Sequence, residues 1–319
     1  MSKLLPQKKS GCSYKKMLHL MILGVLLSGG LNAYAKQPES KTSLTRKENG
    51  LYEIKVADVM MEVDADHGAR IVSFRWKDQE VLTTPETHPE NYGSTLWLSP
   101  QIWKWPPAPP LDRESYQSKM KKNTLYLTSR EDLVSGYQFS KTIVANGLDD
   151  SFSIEYVITN ISGKDQSVAP WEVTRVAAGG LSFFPIGTPG GFSKSNMVTV
   201  DTCGITWFNY DPALVTNHQK LFRNGSEGWL AHTVNKLVFI KKFPDIGIEQ
   251  EAPHETEIEI YANKDRTYIE LENQGPYKKL HSGESMSWTV KWYLREIPAA
   301  VKIAVGSKGL SDLVRKTIN

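Results

Sequence analysis

The chain has 319 residues and a formal net charge of +3, from 38 Lys and Arg against 35 Asp and Glu. That length can bury a core large enough to stand without cross-links, and the basic residues are scattered with no basic stripe, which argues against nucleic acid as a partner. Cys12 and Cys203 are the two cysteines, too few for a disulfide scaffold.

The N-terminus reads as a targeting segment. Lys15 and Lys16 precede an apolar run from Met17 to Leu27, and small residues end in Ala33-Tyr34-Ala35. A charged start, a short apolar core and an A-x-A site describe a secretory signal peptide over residues 1–35. The run is too short to span a bilayer, so the expected product is exported, periplasmic or extracellular, and not inserted in the membrane. Removal of the leader leaves Cys203 alone.

Residues 36–49 are polar and read as a loose lead-in. Alternating or β-rich runs follow at 51–56, 59–64, 70–76, 124–128, 137–145, 152–159, 204–208, 236–240, 257–261, 268–272 and 286–294. Gly, Pro, Asn and Asp clusters separate them. Many strands and few helices predict an all-β domain, a large antiparallel β-sandwich, over 50–297. The tail, 298–319, carries one short helix at 310–318, opening at Ser311-Asp312.

Residues 96–110, LWLSPQIWKWPPAPP, hold three Trp within nine residues and then four Pro in five. Proline-rich chain is stiff and forbids a central strand. Trp97, Trp103 and Trp105 either cap the end of the sandwich or present flat rings to an apolar ligand face, such as the C–H face of a sugar. Gln101 offers a polar contact beside them. Residues 170–185, PWEVTRVAAGGLSFFP, form a second candidate wall with Trp171. Regular alternation places Glu172 and Thr174 on one face and Arg175 on the other. Arg175 either grips a hydroxyl or an acidic sugar or joins a surface ion pair. Arg70, at a strand start after Gly68, binds ligand or forms a salt bridge with Asp64 or Asp66. The histidines show no metal-ligand spacing, so no metal site is expected. No Gly-x-Ser-x-Gly elbow and no Gly-Lys phosphate loop occurs.

Residues 268–294 carry a strand, Leu271-Glu272-Asn273-Gln274, then a Gly-Pro turn, a Ser282-Gly283-Glu284 turn and a final aromatic strand. Alternation places Tyr268, Glu270 and Glu272 on one face. By this order the chain resembles the galactose mutarotase-like (aldose 1-epimerase-like) superfamily. Gly68-Ala69-Arg70-Ile71 resembles a turn near that superfamily's start. The Trp-Pro-Pro loop, the Trp-Glu-x-Thr strand and the Glu-Asn-x-Gly-Pro-Tyr turn are similar to a DUF4380-like bacterial group within it.

The resemblance implies a mutarotase-like supersandwich, a sugar partner, either mono- or oligosaccharide, no cofactor and no specific protein partner. It implies Glu272 as general base. The superfamily's acid is a histidine in an Asn-His-x-Tyr-Phe motif, and this chain has Trp171–Arg175 there instead. Glu172 and His232 are the expected substitutes. Trp103, Trp105, Trp171, Arg175, Arg70, Gln101, Gln274 and Tyr277 are the expected substrate contacts. Two readings stand: an isomerase interconverting anomers by acid–base catalysis, and a non-catalytic glycan-binding protein.

Overall fold

The computed structural model describes residues 39–189, 192 and 195–319. The expected signal peptide lies outside the described residues.

Two antiparallel sheets face each other. In one, neighbouring strands run in the order Thr42–Arg46, Tyr52–Val56, Val59–Asp64, Arg70–Trp76, Ser94–Ser99, Gln166–Ala177, Tyr268–Gln274, Ile258–Ala262 and Gln219–Arg223. The other runs Val200–Thr202, Ile205–Asn209, Leu181–Pro185, Trp229–Val234, Leu237–Lys242, Ser285–Glu296, Ser151–Asn160, Tyr137–Asn146, Thr124–Thr128 and Gln117–Lys121. The expected all-β antiparallel sandwich is the observed one, with one short helix, Lys308–Ile318, at the C-terminus. Among the described residues no helix is long and apolar enough to cross a membrane.

The inner faces form the main core, including Phe74, Phe152, Phe239 and Trp292. Phe74 packs edge-on against Phe152 and Trp292, with centroids 5.5 and 5.2 Å apart. Two buried lysines reach across from the second sheet. Lys141 Nζ donates to the carbonyls of Gly68 and Ala69 at 2.8 and 2.9 Å. Lys241 Nζ lies 2.8 Å from the Glu172 carboxylate and donates to Thr174 Oγ1 and the Leu271 carbonyl. Burial lowers the proton affinity of both lysines, Lys141 to about 7.

Each sheet also buries part of its outer face. On the second sheet the C-terminal helix lays Leu310 and Val314 over Trp229, Ile240 and Tyr293. Each such side chain contributes about 1.5–3 kcal/mol when fully buried. The helix begins at Lys308, earlier than expected, because the Ser307 hydroxyl accepts from the Leu310 N–H and caps it. Ser311, expected at the opening, is buried inside the helix. The first sheet buries a separate cluster of Trp97, Trp171 and Val173, with Trp103 against it.

The chain near the lead-in and the Trp-rich segment departs from expectation. Thr42–Arg46 is a strand paired with Tyr52–Val56, not a loose segment. Ser94–Ser99 is a strand carrying Trp97, so the irregular loop starts at Pro100. Proline is absent before position 100 in that segment, and nothing there prevents pairing.

Candidate functional site

The outer face of the first sheet follows from its register. Directly opposed residues on antiparallel strands point the same way. One row runs Trp97, Trp171, Gln274. The next runs Thr95, Val173, Glu272, Glu259, Phe222. The third runs Arg175, Glu270, Tyr261, Lys220. The face is thus aromatic at one end and charged along its middle.

Trp97 sits at the centre of the aromatic end. Its ring lies edge-on to Trp103, Trp105 and Trp171, with centroids 5.7, 5.5 and 5.3 Å away. The Arg175 guanidinium lies over the same ring at 4.9 Å. Polar atoms fix the rings. Trp97 Nε1 donates to Asp112 at 2.8 Å, and Trp103 Nε1 to the Leu98 carbonyl at 2.8 Å. Asp112 ends the short helical turn Pro109–Asp112. That turn presses on the strand turn at Gly68, where φ is +67° and any Cβ would meet the Asp112 carbonyl. Glycine is required there on both counts.

Glu272 is buried in the middle row. Trp171 Nε1 donates to its Oε2 at 2.6 Å. Burial, then the neighbouring Glu259 and Glu270, pushes the Glu272 carboxyl well above the ordinary carboxylate range. Burial also raises Glu259, to about 7, against the pull of Lys220, whose Nζ is 2.6 Å from its Oε1. Glu270 is ion-paired with Arg175 Nε at 2.8 Å. Arg175 Nη1 donates to Thr95 Oγ1 at 3.3 Å. Its Nη2 is buried without a hydrogen-bond partner among the described residues, a spare donor in a face of acceptors.

The expected acid substitutes do not join this face. Glu172 stands on the opposite side of its strand, because side chains alternate. It lies in the core between the sheets, where it accepts from Tyr156 at 2.6 Å and Trp292 at 3.1 Å and pairs with Lys241. His232 belongs to the second sheet. It pairs there with Phe239, an inner-core residue, and its Nδ1 is 2.9 Å from Ser182 Oγ. Burial lowers its pKa to about 3, so it stays neutral. Neither can protonate a group held at Glu272.

The expected contacts divide among several places. Trp171, Arg175 and Glu272 are together, with Trp103 and Trp105 beside them. Gln274 has both ends of its amide occupied, by Ser99 and Glu255, and ties the loop to the sheet. Gln101 is exposed, and its backbone N–H is held by Glu255 at 3.2 Å. Arg70 does not pair with Asp64 or Asp66. Its Nη2 is 3.6 Å from Asp112, and its guanidinium lies over the Tyr92 ring at 4.5 Å.

The Trp loop separates two hollows. Arg70, Tyr92, Trp105 and Asp112 line one of about 170 Å³. Trp103, Tyr137 and Tyr277 line a larger groove of about 920 Å³ on the other side.

Glu259, Lys220, Tyr261 and His218 were not expected at the site. The exposed His218 holds the Tyr261 hydroxyl through Nδ1 at 2.5 Å. The alternation Glu257-Glu259-Tyr261 was visible in sequence, but its strand partner, Gln219–Arg223, carried no strand signal to place it.

Solved structures share this fold. A TPR-domain containing protein from Parabacteroides distasonis matches with a TM-score of 0.58 at 16% identity, over 80% of this chain and 49% of that one. The present chain therefore spans about half of that protein's length. A galactose mutarotase-like protein from Lactobacillus casei matches with a TM-score of 0.55 at 12% identity, over 77% of this chain and 100% of that one. A galactose mutarotase related enzyme from Lactobacillus acidophilus gives 0.54 at 10%, over 79% and 99%. The fold is therefore mutarotase-like. No curated protein matches the sequence. The family model described as a domain of unknown function, DUF4380, matches residues 99–295. That match covers more than half of the sequence, and the chain belongs to the DUF4380 family.

Proposed function

We propose that the protein is an exported carbohydrate-binding protein on a mutarotase-like scaffold, with the sugar held at the solvent side of the Trp cluster, where Trp103 and Trp105 reach the surface above the buried Trp97, Trp171, Glu272 and Arg175. The observation that carries this reading is the Trp97–Trp103–Trp105–Trp171 cluster directly beside Glu270, Glu272 and Arg175. A sugar has apolar C–H faces and hydroxyl edges, so aromatic rings next to charged acceptors and donors match both. The buried spare N–H of Arg175 adds a donor that a ligand oxygen would satisfy. The leader at residues 1–35 supports export, and fractionation of cells making the tagged protein tests it. Retention in the cytoplasm would remove export from the reading.

One observation favours a second reading, anomer interconversion. Burial and the neighbouring Glu259 and Glu270 raise the proton affinity of Glu272, and Glu270 beside it is ion-paired to Arg175. A carboxyl of raised proton affinity next to an ion-paired carboxylate is a donor–acceptor arrangement. Its proton affinity suits Glu272 to giving a proton rather than to the base role that the resemblance implies.

NMR exchange spectroscopy with a panel of reducing sugars tests both readings. Binding broadens ligand lines, and catalysis accelerates α/β exchange of the anomeric protons. Broadening without acceleration supports the binding protein. Acceleration lost in Glu272→Gln supports the isomerase. Neither effect with any sugar would sink both.

A further inference from the structure

We propose that the groove beside the Trp loop extends the sugar site and takes an acidic oligosaccharide, one whose residues carry carboxylates. This inference rests on the carbohydrate reading above.

Size is the first argument. The groove encloses about 920 Å³, near the top of the range of about 300–1,000 Å³ usual for small-molecule pockets. A single monosaccharide would leave most of it to water. Continuity is the second. Trp103 lines the groove and also packs on Trp97 and Trp171, with centroids 5.7 and 6.5 Å away. The groove and the carboxylate face therefore share one ring. Away from Trp103 the walls are mainly apolar, with Pro100, Ile102, Pro106 and Val134, and Tyr137 and Tyr277 add rings with hydroxyl groups. Apolar walls suit sugar C–H faces, and the hydroxyl and charged groups suit sugar edges.

Charge supplies the ligand class. Four charged side chains line the groove: Lys104, Lys164, Asp132 and Asp165. The acids are engaged. Asp165 is ion-paired with Lys279 at 2.8 Å, and its other oxygen is 3.0 Å from His281 Nδ1. Asp132 is buried and accepts the backbone N–H groups of Val134 and Ser135. Lys104 and Lys164 are exposed, and neither has an ion-pair partner among the described residues. Two free ammonium groups along a sugar-sized groove favour an anionic chain over a neutral one.

Isothermal titration of the purified protein with galacturonate and mannuronate oligomers, from monomer to hexamer, tests this against neutral gluco- and xylo-oligomers of equal length. We expect affinity for the uronates to rise with length, to weaken as salt is added, and to exceed that for the neutral chains. The Lys104→Ala/Lys164→Ala variant should lose up to roughly tenfold for the long uronates and nothing for the monomer, as two exposed ion pairs allow. Both lysines are exposed, so the variant should fold. Equal binding of neutral and acidic chains, or no gain with length, would overturn the inference and leave the sugar site standing. No binding of any sugar, monomer included, would overturn both.

Discussion

The Trp171 indole N–H donates to the Glu272 carboxyl at 2.6 Å, joining the aromatic end of the outer face to its carboxylates. The two residues lie on neighbouring strands, in adjacent rows of the register. A ligand on the half-buried Trp103 and exposed Trp105 rings therefore meets a cluster in which the buried Trp171 is oriented by a carboxyl group. Trp171→Phe removes the N–H and keeps most of the apolar area. We expect folding stability to fall by about 1–3 kcal/mol, as a buried acceptor loses its partner, and sugar affinity to fall measurably as the ring loses its fixed orientation. Titration calorimetry and a melting curve check this. Unchanged affinity would detach Trp171 from the site.

The ion pair of Glu172 and Lys241 is fully buried. Lys241→Met leaves the carboxylate uncompensated and should cost about 3–5 kcal/mol in urea unfolding. Replacing both partners, Glu172→Gln with Lys241→Met, should recover much of that loss. Sugar binding should survive in the double variant, since the pair faces the inter-sheet core. Loss of binding with stability recovered would return Glu172 to the site.

Glu257 accepts the backbone N–H groups of Gly225 and Ile246 at 3.0 and 2.9 Å, and burial pushes its carboxyl up from 4.5 to about 8. A raised acid binds its proton more tightly in the folded state than in the unfolded chain. Its contribution is complete below pH 4.5 and is lost as pH rises towards about 8. The stability of wild type relative to Glu257→Gln should therefore fall across that window, by at most about 1.4 kcal/mol per pH unit. Gln offers one acceptor oxygen where two N–H groups need partners, which adds a pH-independent offset. The slope is the test, and a flat difference would contradict it.

His232 has the opposite sign. Burial lowers its pKa from 6.5 to about 3, so stability rises with pH between those values as the unfolded chain gives up its proton. Its ring signals in NMR should not titrate between pH 5 and 8, and His232→Asn should leave sugar binding intact. A ring titrating near 6.5 would reopen its role as an acid.

The sandwich was legible because its longest strands alternate cleanly. Tyr137–Asn146 and Ser151–Asn160 bury nearly every second residue, and that period survives without tertiary information. Strands buried on both sides were harder. Gln166–Ala177 and Tyr268–Gln274 bury polar and apolar residues alike, so their sequences do not say which face meets which partner. Glu172 shows the consequence. Its place opposite Arg175 could be read from alternation, but only the register with Asn273 and the contact with Lys241 show which side is the core. The position of His232 depended on strand order in the second sheet, which no local pattern encodes. The segment of residues 100–108 owes its irregularity to proline, and that was visible. Trp97 is held by a hydrogen bond to Asp112, fifteen residues away, and Asp112 in turn packs its carbonyl on Gly68, contacts that spacing does not reveal.

The proposed sugar site is the Trp cluster of the outer face. Indole N–H signals in a ¹H–¹⁵N spectrum, assigned with single Trp→Phe variants, report each ring separately. Titration with uronate and neutral sugars should shift the Trp103, Trp105 and Trp171 signals in a saturable way. Trp207 and Trp229, packed on the second sheet, should stay still. Shifts confined to Trp207 or Trp229, or no shift with any sugar, would contradict the account.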